Sequence, residues 1–103
     1  EEVSCRPDFA VMCYSGYLKA TDKDEIAPGL RVPEGTPPIF LAHSSDDSIS
    51  NVEHSVFMYL ALQRQKVPAR LMVWPDENHW ILKPENSKVF YREVAAWLEK
   101  WLK

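Results

Sequence analysis

Between Ile39 and Trp74 the chain reads I-F-L-A-H-S-S-D-D-S-I-S-N-V-E-H-S-V-F-M-Y-L-A-L-Q-R-Q-K-V-P-A-R-L-M-V-W. Its two ends, Ile39–His43 and Arg70–Trp74, are short runs rich in β-formers and apolar on both faces, the pattern of strands buried in a parallel sheet. Between them lies a helical pattern. S-N-V-E from Ser50 to Glu53 has the spacing of a capping box, in which a serine hydroxyl and a glutamate three residues on satisfy the free N–H groups of a first turn. Val52, Val56, Tyr59, Leu60 and Leu62 continue the period, and Pro68 sets its limit. Strand, helix and strand in this order predict a right-handed crossover between parallel neighbours.

Outward from this unit, Phe9–Tyr14 (F-A-V-M-C-Y) is a third run of the same character. A second helix is predicted from about Pro84, with Glu85 in its first turn. Phe90, Val94, Trp97, Leu98 and Trp101 fall at i, i+4, i+7, i+8 and i+11, which is one face. The expected architecture is α/β, a three-layer α/β/α arrangement around a short parallel sheet of about three strands. The segment Ser15–Pro38 is long, contains Pro28, Pro33, Pro37 and Pro38, and reads as an excursion over a site.

The 103 residues suffice for one small domain. Hydrophobic residues are 46% and charged residues 26%, a globular balance that argues against disorder. With 12 basic against 15 acidic side chains, the chain lacks the basic surface that phosphate neutralisation requires, so no nucleic-acid partner is expected. No apolar run approaches a membrane span, and no leader pattern opens the sequence, so neither membrane nor signal peptide is expected. The chain has 3 glycines, too few for a dinucleotide fingerprint or phosphate loop, so no cofactor is expected. Cys5 and Cys13 cannot make a structural zinc site, so no metal is expected either; they read as two free or buried thiols.

Chemistry-bearing residues gather after two of the runs. His43–Ser50 (H-S-S-D-D-S-I-S) follows the second, and Trp74–Trp80 (W-P-D-E-N-H-W) follows the third. Ligands bind at the carboxyl edge of an open parallel sheet, where neighbouring strands lie about 4.8 Å apart. A carboxylate at Asp46 or Asp47 is thus placed to reach the imidazole of His79, fixing its tautomer as a general base needs. The acidic pair suits an ordinary capped turn equally well, and His79 a turn histidine bonded to backbone. His54 reads as a solvated or packed residue on the helix surface.

The chain resembles the C-terminal part of an α/β-hydrolase of the dienelactone hydrolase, acetyl-xylan esterase and prolyl oligopeptidase type. The resemblance rests on Thr36–Ser50, on Tyr59–Pro75 with its V-P turn, and on N-H-W-I-L-K-P-E-N-S (Asn78–Ser87) with the aromatic helix that follows. The last of these looks most like the peptidase branch. R-P-D-F-A-V-M-C-Y-S-G-Y-L (Arg6–Leu18) is more similar to the carbohydrate-esterase and lipase-like branches. The resemblance implies that all 103 residues form a single partial α/β-hydrolase domain. It places the catalytic acid four residues after His43, at Asp47, with Asp46 as the weaker alternative, and the base at His79. His43 itself would hold the loop.

No G-x-S-x-G nucleophile elbow and no oxyanion loop occur among these residues, and Ser15 or Cys13 is a poor substitute. The resemblance therefore implies a serine hydrolase segment (a carboxylic ester hydrolase or a peptidase) that supplies acid and base while the serine lies elsewhere. Its substrate would be an ester or a peptide. The outer edge of the first strand would pair with an N-terminal half or with another copy of the chain, and four tryptophans suit packing against more protein. The alternative expectation is a non-catalytic, self-associating α/β module.

Overall fold

Alternation along the middle strand determines which helix packs where. The computed structural model describes residues 5–102. Three parallel strands, β1 (Ala10–Cys13), β2 (Ile39–Ser44) and β3 (Ala69–Trp74), form a sheet in the order β1-β2-β3. Ile39 of β2 stands opposite Ala10 of β1 and Ala69 of β3. All six β2 residues are buried. Because side chains alternate across a strand, Ile39 and Leu41 face one way and meet Met58 and Leu62 of helix α1 (Glu53–Arg64). Phe40 and Ala42 face the other way, toward Trp97, Phe90 and Val94 of helix α2 (Pro84–Trp101). The result is helix, sheet, helix, as the periodicities predict.

The elements differ from expectation at their ends for physical reasons. β1 is one residue shorter at each end than its apolar run, and at its carboxyl end the reason is that Tyr14 takes φ 53° and turns the chain out of the extended region. The expected capping box is not formed. Val52 occupies the cap position without a side-chain bond, and the Asn51 side-chain oxygen accepts the Glu53 N–H at 2.9 Å. Ser50 is occupied elsewhere: its N–H donates to Asp47 Oδ1 and its hydroxyl to the Ser15 carbonyl. At the other end α1 closes in a Schellman pattern, with Lys66 N–H to the Gln63 carbonyl and Val67 N–H to that of Leu62. Lys66 holds φ 57° there, a position that usually takes glycine. Lys66→Gly is expected to stabilise the protein by about 0.5–1 kcal/mol, read as a raised urea midpoint with unchanged slope.

The Ser15–Pro38 excursion is part of the core. Leu18 and Val32 are buried in the α1-side cluster, and Ile26 and Leu30 pack against it. An isolated antiparallel bridge pairs Lys19 with Ile26. The tryptophans divide. Trp74 and Trp97 are buried under α2, Trp101 is half-buried beside them, and Trp80 alone is largely exposed. Most of that aromatic content is spent inside the chain. Leu98, expected on the core face of α2, is half-buried and lies outside that cluster. Among the described residues, no helix is long and apolar enough to cross a membrane.

Candidate active site

Parallel pairing of β2 and β3 in register brings their carboxyl-end loops together, and the two predicted residues meet there. Asp47 Oδ2 lies 2.8 Å from His79 Nδ1. The other carboxylate oxygen accepts the N–H groups of Ile49 and Ser50 at 2.8 and 2.9 Å. Asp47 thus serves both readings left open by its sequence, building the turn with one oxygen and holding the imidazole with the other. Its side chain has no solvent exposure. Desolvation works against its charge, but the Ser50 N–H, the His79 ring and the Ile49 N–H outweigh it, and the carboxyl sits below its ordinary value. An ionised Asp47 requires His79 to carry its proton on Nδ1, which leaves Nε2 as the acceptor of a base.

Asp46 takes a different part. Its Oδ1 accepts the Asn78 N–H at 2.9 Å, and its carbonyl accepts the Asn78 side-chain amide at 3.0 Å. The Asn78 side-chain oxygen accepts in turn from the N–H and hydroxyl of Ser48. Asn78, at φ 53°, is therefore a clasp between the acid loop and the base loop, one residue before His79. It went unnoticed in the sequence because its partners lie 30 or more residues away.

Two further anchors fix the site. His43, fully buried, meets the Ser55 hydroxyl through Nδ1 and the Ser50 carbonyl through Nε2, each at 2.8 Å. A neutral ring donating from Nε2 satisfies both, so His43 holds the loop, as the resemblance implies. Ser55→Ala leaves that buried nitrogen unpaired. It is expected to cost about 1–3 kcal/mol, measured as a lower urea midpoint. Glu77, which sequence reasoning also missed, accepts the Leu82 and Lys83 N–H groups with one oxygen and the Asn86 amide with the other. It ties the histidine loop to the start of α2.

Tyr14 closes the floor, its ring centroid 5.4 Å from that of His79 and 5.7 Å from that of His43. Desolvation, with nearby negative charge, pushes its phenol up to about 12, so it stays protonated. Cys13, at the end of β1, is moved up rather than down by desolvation, the opposite of an activated thiolate. Both cysteines are free thiols, as expected. No group of three or more potential metal ligands occurs among the described residues.

The carboxyls set an acid limit. Asp47 and Glu77 both lie below their ordinary values; for Glu77, desolvation is outweighed by the Leu82, Asn86 and Lys83 donors. A lowered carboxyl contributes its full stability above the unfolded value and loses it as pH falls through the folded one. The contribution of these two carboxyls is therefore expected to be flat above about pH 5 and to fall below about pH 4, followed as the loss of urea midpoint over that acid range.

Comparison with known proteins places the family and the fold. The model of the prolyl oligopeptidase family matches residues 13–103. Dipeptidyl-peptidase 5 of Trichophyton schoenleinii is 38% identical over 74 residues, 72% of this chain and 10% of that protein. An acetyl ester-xyloside bifunctional hydrolase from Caldicellulosiruptor lactoaceticus superposes with a TM-score of 0.67 at 31% identity, over 96% of this chain and 43% of that one. MGS-M1, an α/β hydrolase from a Medee basin deep-sea metagenome library, superposes with a TM-score of 0.79 at 18% identity, over 98% and 47%. The chain thus spans about a tenth of the curated relative's length and under half of either solved neighbour. Its sheet is a segment of the α/β-hydrolase fold, and the chain belongs to the prolyl oligopeptidase family.

Proposed function

We propose that Asp47 and His79 are the acid and base of a Ser-His-Asp triad whose serine is supplied by polypeptide outside these 103 residues. The observation that carries this reading is the 2.8 Å bond between Asp47 Oδ2 and His79 Nδ1 at the carboxyl edge of the sheet. His79 Nε2 takes the proton of the serine hydroxyl as its oxygen bonds to the substrate's carbonyl carbon. That proton then passes to the departing alcohol or amine. Water, activated by the same nitrogen, releases the acid and restores the serine. The substrate class is a peptide bond or a carboxylic ester, acetylated sugars included. A dipeptidyl-peptidase relative and an acetyl ester-xyloside hydrolase neighbour support the two branches.

β1 lies at one edge of the sheet, paired on one side only. Its outer edge would receive the strand that leads to the nucleophile, from an N-terminal half or from a second copy of the chain. By this reading the 103 residues alone are inactive. A fluorophosphonate probe tests it: the complete polypeptide should label once, at a serine outside this segment, and lose labelling in His79→Ala with its circular dichroism unchanged. Undiminished labelling in that variant would overturn the assignment. Folded polypeptide that never labels would favour the self-associating, non-catalytic alternative.

A further inference from the structure

The segment that leaves β1 is backbone-strained and pinned at two points, once to α1 and once to the loop that precedes it. Tyr14 and Tyr17 hold φ 53° and 61°, in the left-handed region that bulky side chains rarely adopt, on either side of Ser15 and Gly16. Tyr17 is 94% exposed, so no packing of its own side chain repays that backbone. One pin is the Ser50 hydroxyl on the Ser15 carbonyl. The other is His54, on α1, whose Nδ1 accepts the N–H groups of Leu18 at 3.2 Å and Lys19 at 3.0 Å. Gly16, Tyr17, Lys19, Ser50 and His54 wall a cavity of about 630 Å³ that also includes Tyr14, the ring against His79.

We propose that His54 is a titratable positioning residue that holds this wall closed when neutral and releases it when protonated. A ring nitrogen that accepts two N–H bonds must be without its own proton. Once protonated, Nδ1–H would face two donors, with no acceptor in place. The surrounding charges sharpen the conflict. The Lys19 ammonium lies over the Phe57 ring and donates to the Ala20 carbonyl, so a cationic His54 adds a second positive charge to a cavity lining that already holds one. The acidic groups nearby are Glu53, beside His54 along the cavity rim, and Asp24, 3.9 Å from Lys19. His43, through Ser50, and His79, through Tyr14 and through Asp47 to Ser50, are the other imidazoles coupled to this segment.

Release relieves the strained turn and widens the cavity on the side away from α2, so opening takes up one proton. The wall's part in admitting substrate rests on the serine-hydrolase reading; the pin itself does not. Amide exchange keeps the two separate. In the complete polypeptide, protection of the Leu18 and Lys19 amides is expected to fall by up to about tenfold per pH unit between pH 7.5 and 5.5, the slope of one proton. His54→Asn places a non-titrating acceptor where Nδ1 was, and should keep protection high and flat across that window. His54→Ala should give low protection throughout. Flat protection in the natural protein, or the same fall in His54→Asn, would overturn the proposal, the second result transferring the effect to His43 or His79. Where activity is measured, a cavity-dependent KM should follow the same pH course in the natural protein and lose it in His54→Asn, with kcat unchanged.

Discussion

Asp47→Asn is expected to lower kcat/KM of the complete polypeptide by about 10³–10⁴-fold while leaving its fold intact, the size of effect seen when a triad acid is made neutral. Asn keeps an oxygen able to accept the Ile49 and Ser50 N–H groups that Asp47 Oδ1 accepts, so the turn has no reason to open. What changes is the group facing His79 Nδ1. A carboxylate oxygen there demands a donor from the ring. An amide NH2 there demands an acceptor, which moves the ring proton to Nε2 and leaves nothing to receive the serine's proton. The same carboxylate also stabilises the imidazolium that forms as the serine attacks. Steady-state kinetics with a p-nitrophenyl ester and a dipeptide amide, beside circular dichroism, checks the expectation. A loss under tenfold in a folded variant would remove Asp47 from the acid's place.

Asp46→Asn should behave otherwise. Its carbonyl contact to the Asn78 side chain persists, and an amide oxygen can still accept the Asn78 N–H. A far smaller loss is expected, and the contrast between adjacent carboxylates separates chemistry from loop geometry in one experiment.

Much of this was open to reading because it depends on short-range pattern. Apolar runs with β-branched residues gave the strands, and a 3.6-residue period gave both helices, since burial on one face is what those periods encode. Strand order placed Asp46 or Asp47 within reach of His79 because parallel neighbours in register put consecutive loops side by side, and the family resemblance, through its spacing from His43, chose Asp47. Failures came where one group had several possible partners. Ser50 has the right neighbours for a capping box, but Asp47 claims its N–H and the Ser15 carbonyl claims its hydroxyl, both contacts made by tertiary folding. His54 has the pattern of a surface histidine, yet two N–H groups from 35 and 36 residues upstream converge on it. Asn78 and Glu77 lie inside a stretch already singled out, and nothing local tells a clasp from a solvated turn. The aromatic count was also misleading. Trp74 and Trp97 fill space between sheet and helix, and only the packing distinguishes an inner aromatic from one awaiting a partner.

Trp97→Ala is expected to destabilise the protein by about 3–5 kcal/mol, a large share of the 5–15 kcal/mol available to a domain of this size. Trp97 is the one buried residue of α2, in edge contact with Phe40 at 5.8 Å and beside Trp101 at 5.7 Å. Phe40 is fully buried in the middle strand, so truncation opens a void at the centre of that face. The loss should spread to the site. α2 begins at Pro84, and Glu77 and Asn86 fasten that start to the histidine loop. A loosened helix therefore frees His79 while Asp47, held by its own turn, stays in place. Trp97→Phe separates packing from polarity: the Trp97 indole N–H is buried without a hydrogen-bond partner among the described residues, so removing it forfeits no bond. About 1 kcal/mol is expected for that variant, mainly from lost volume. Urea midpoints on the complete polypeptide measure both. Equal costs for Ala and Phe would mean that the indole's own shape or its N–H, not the filling of space beneath α2, holds that helix to the sheet.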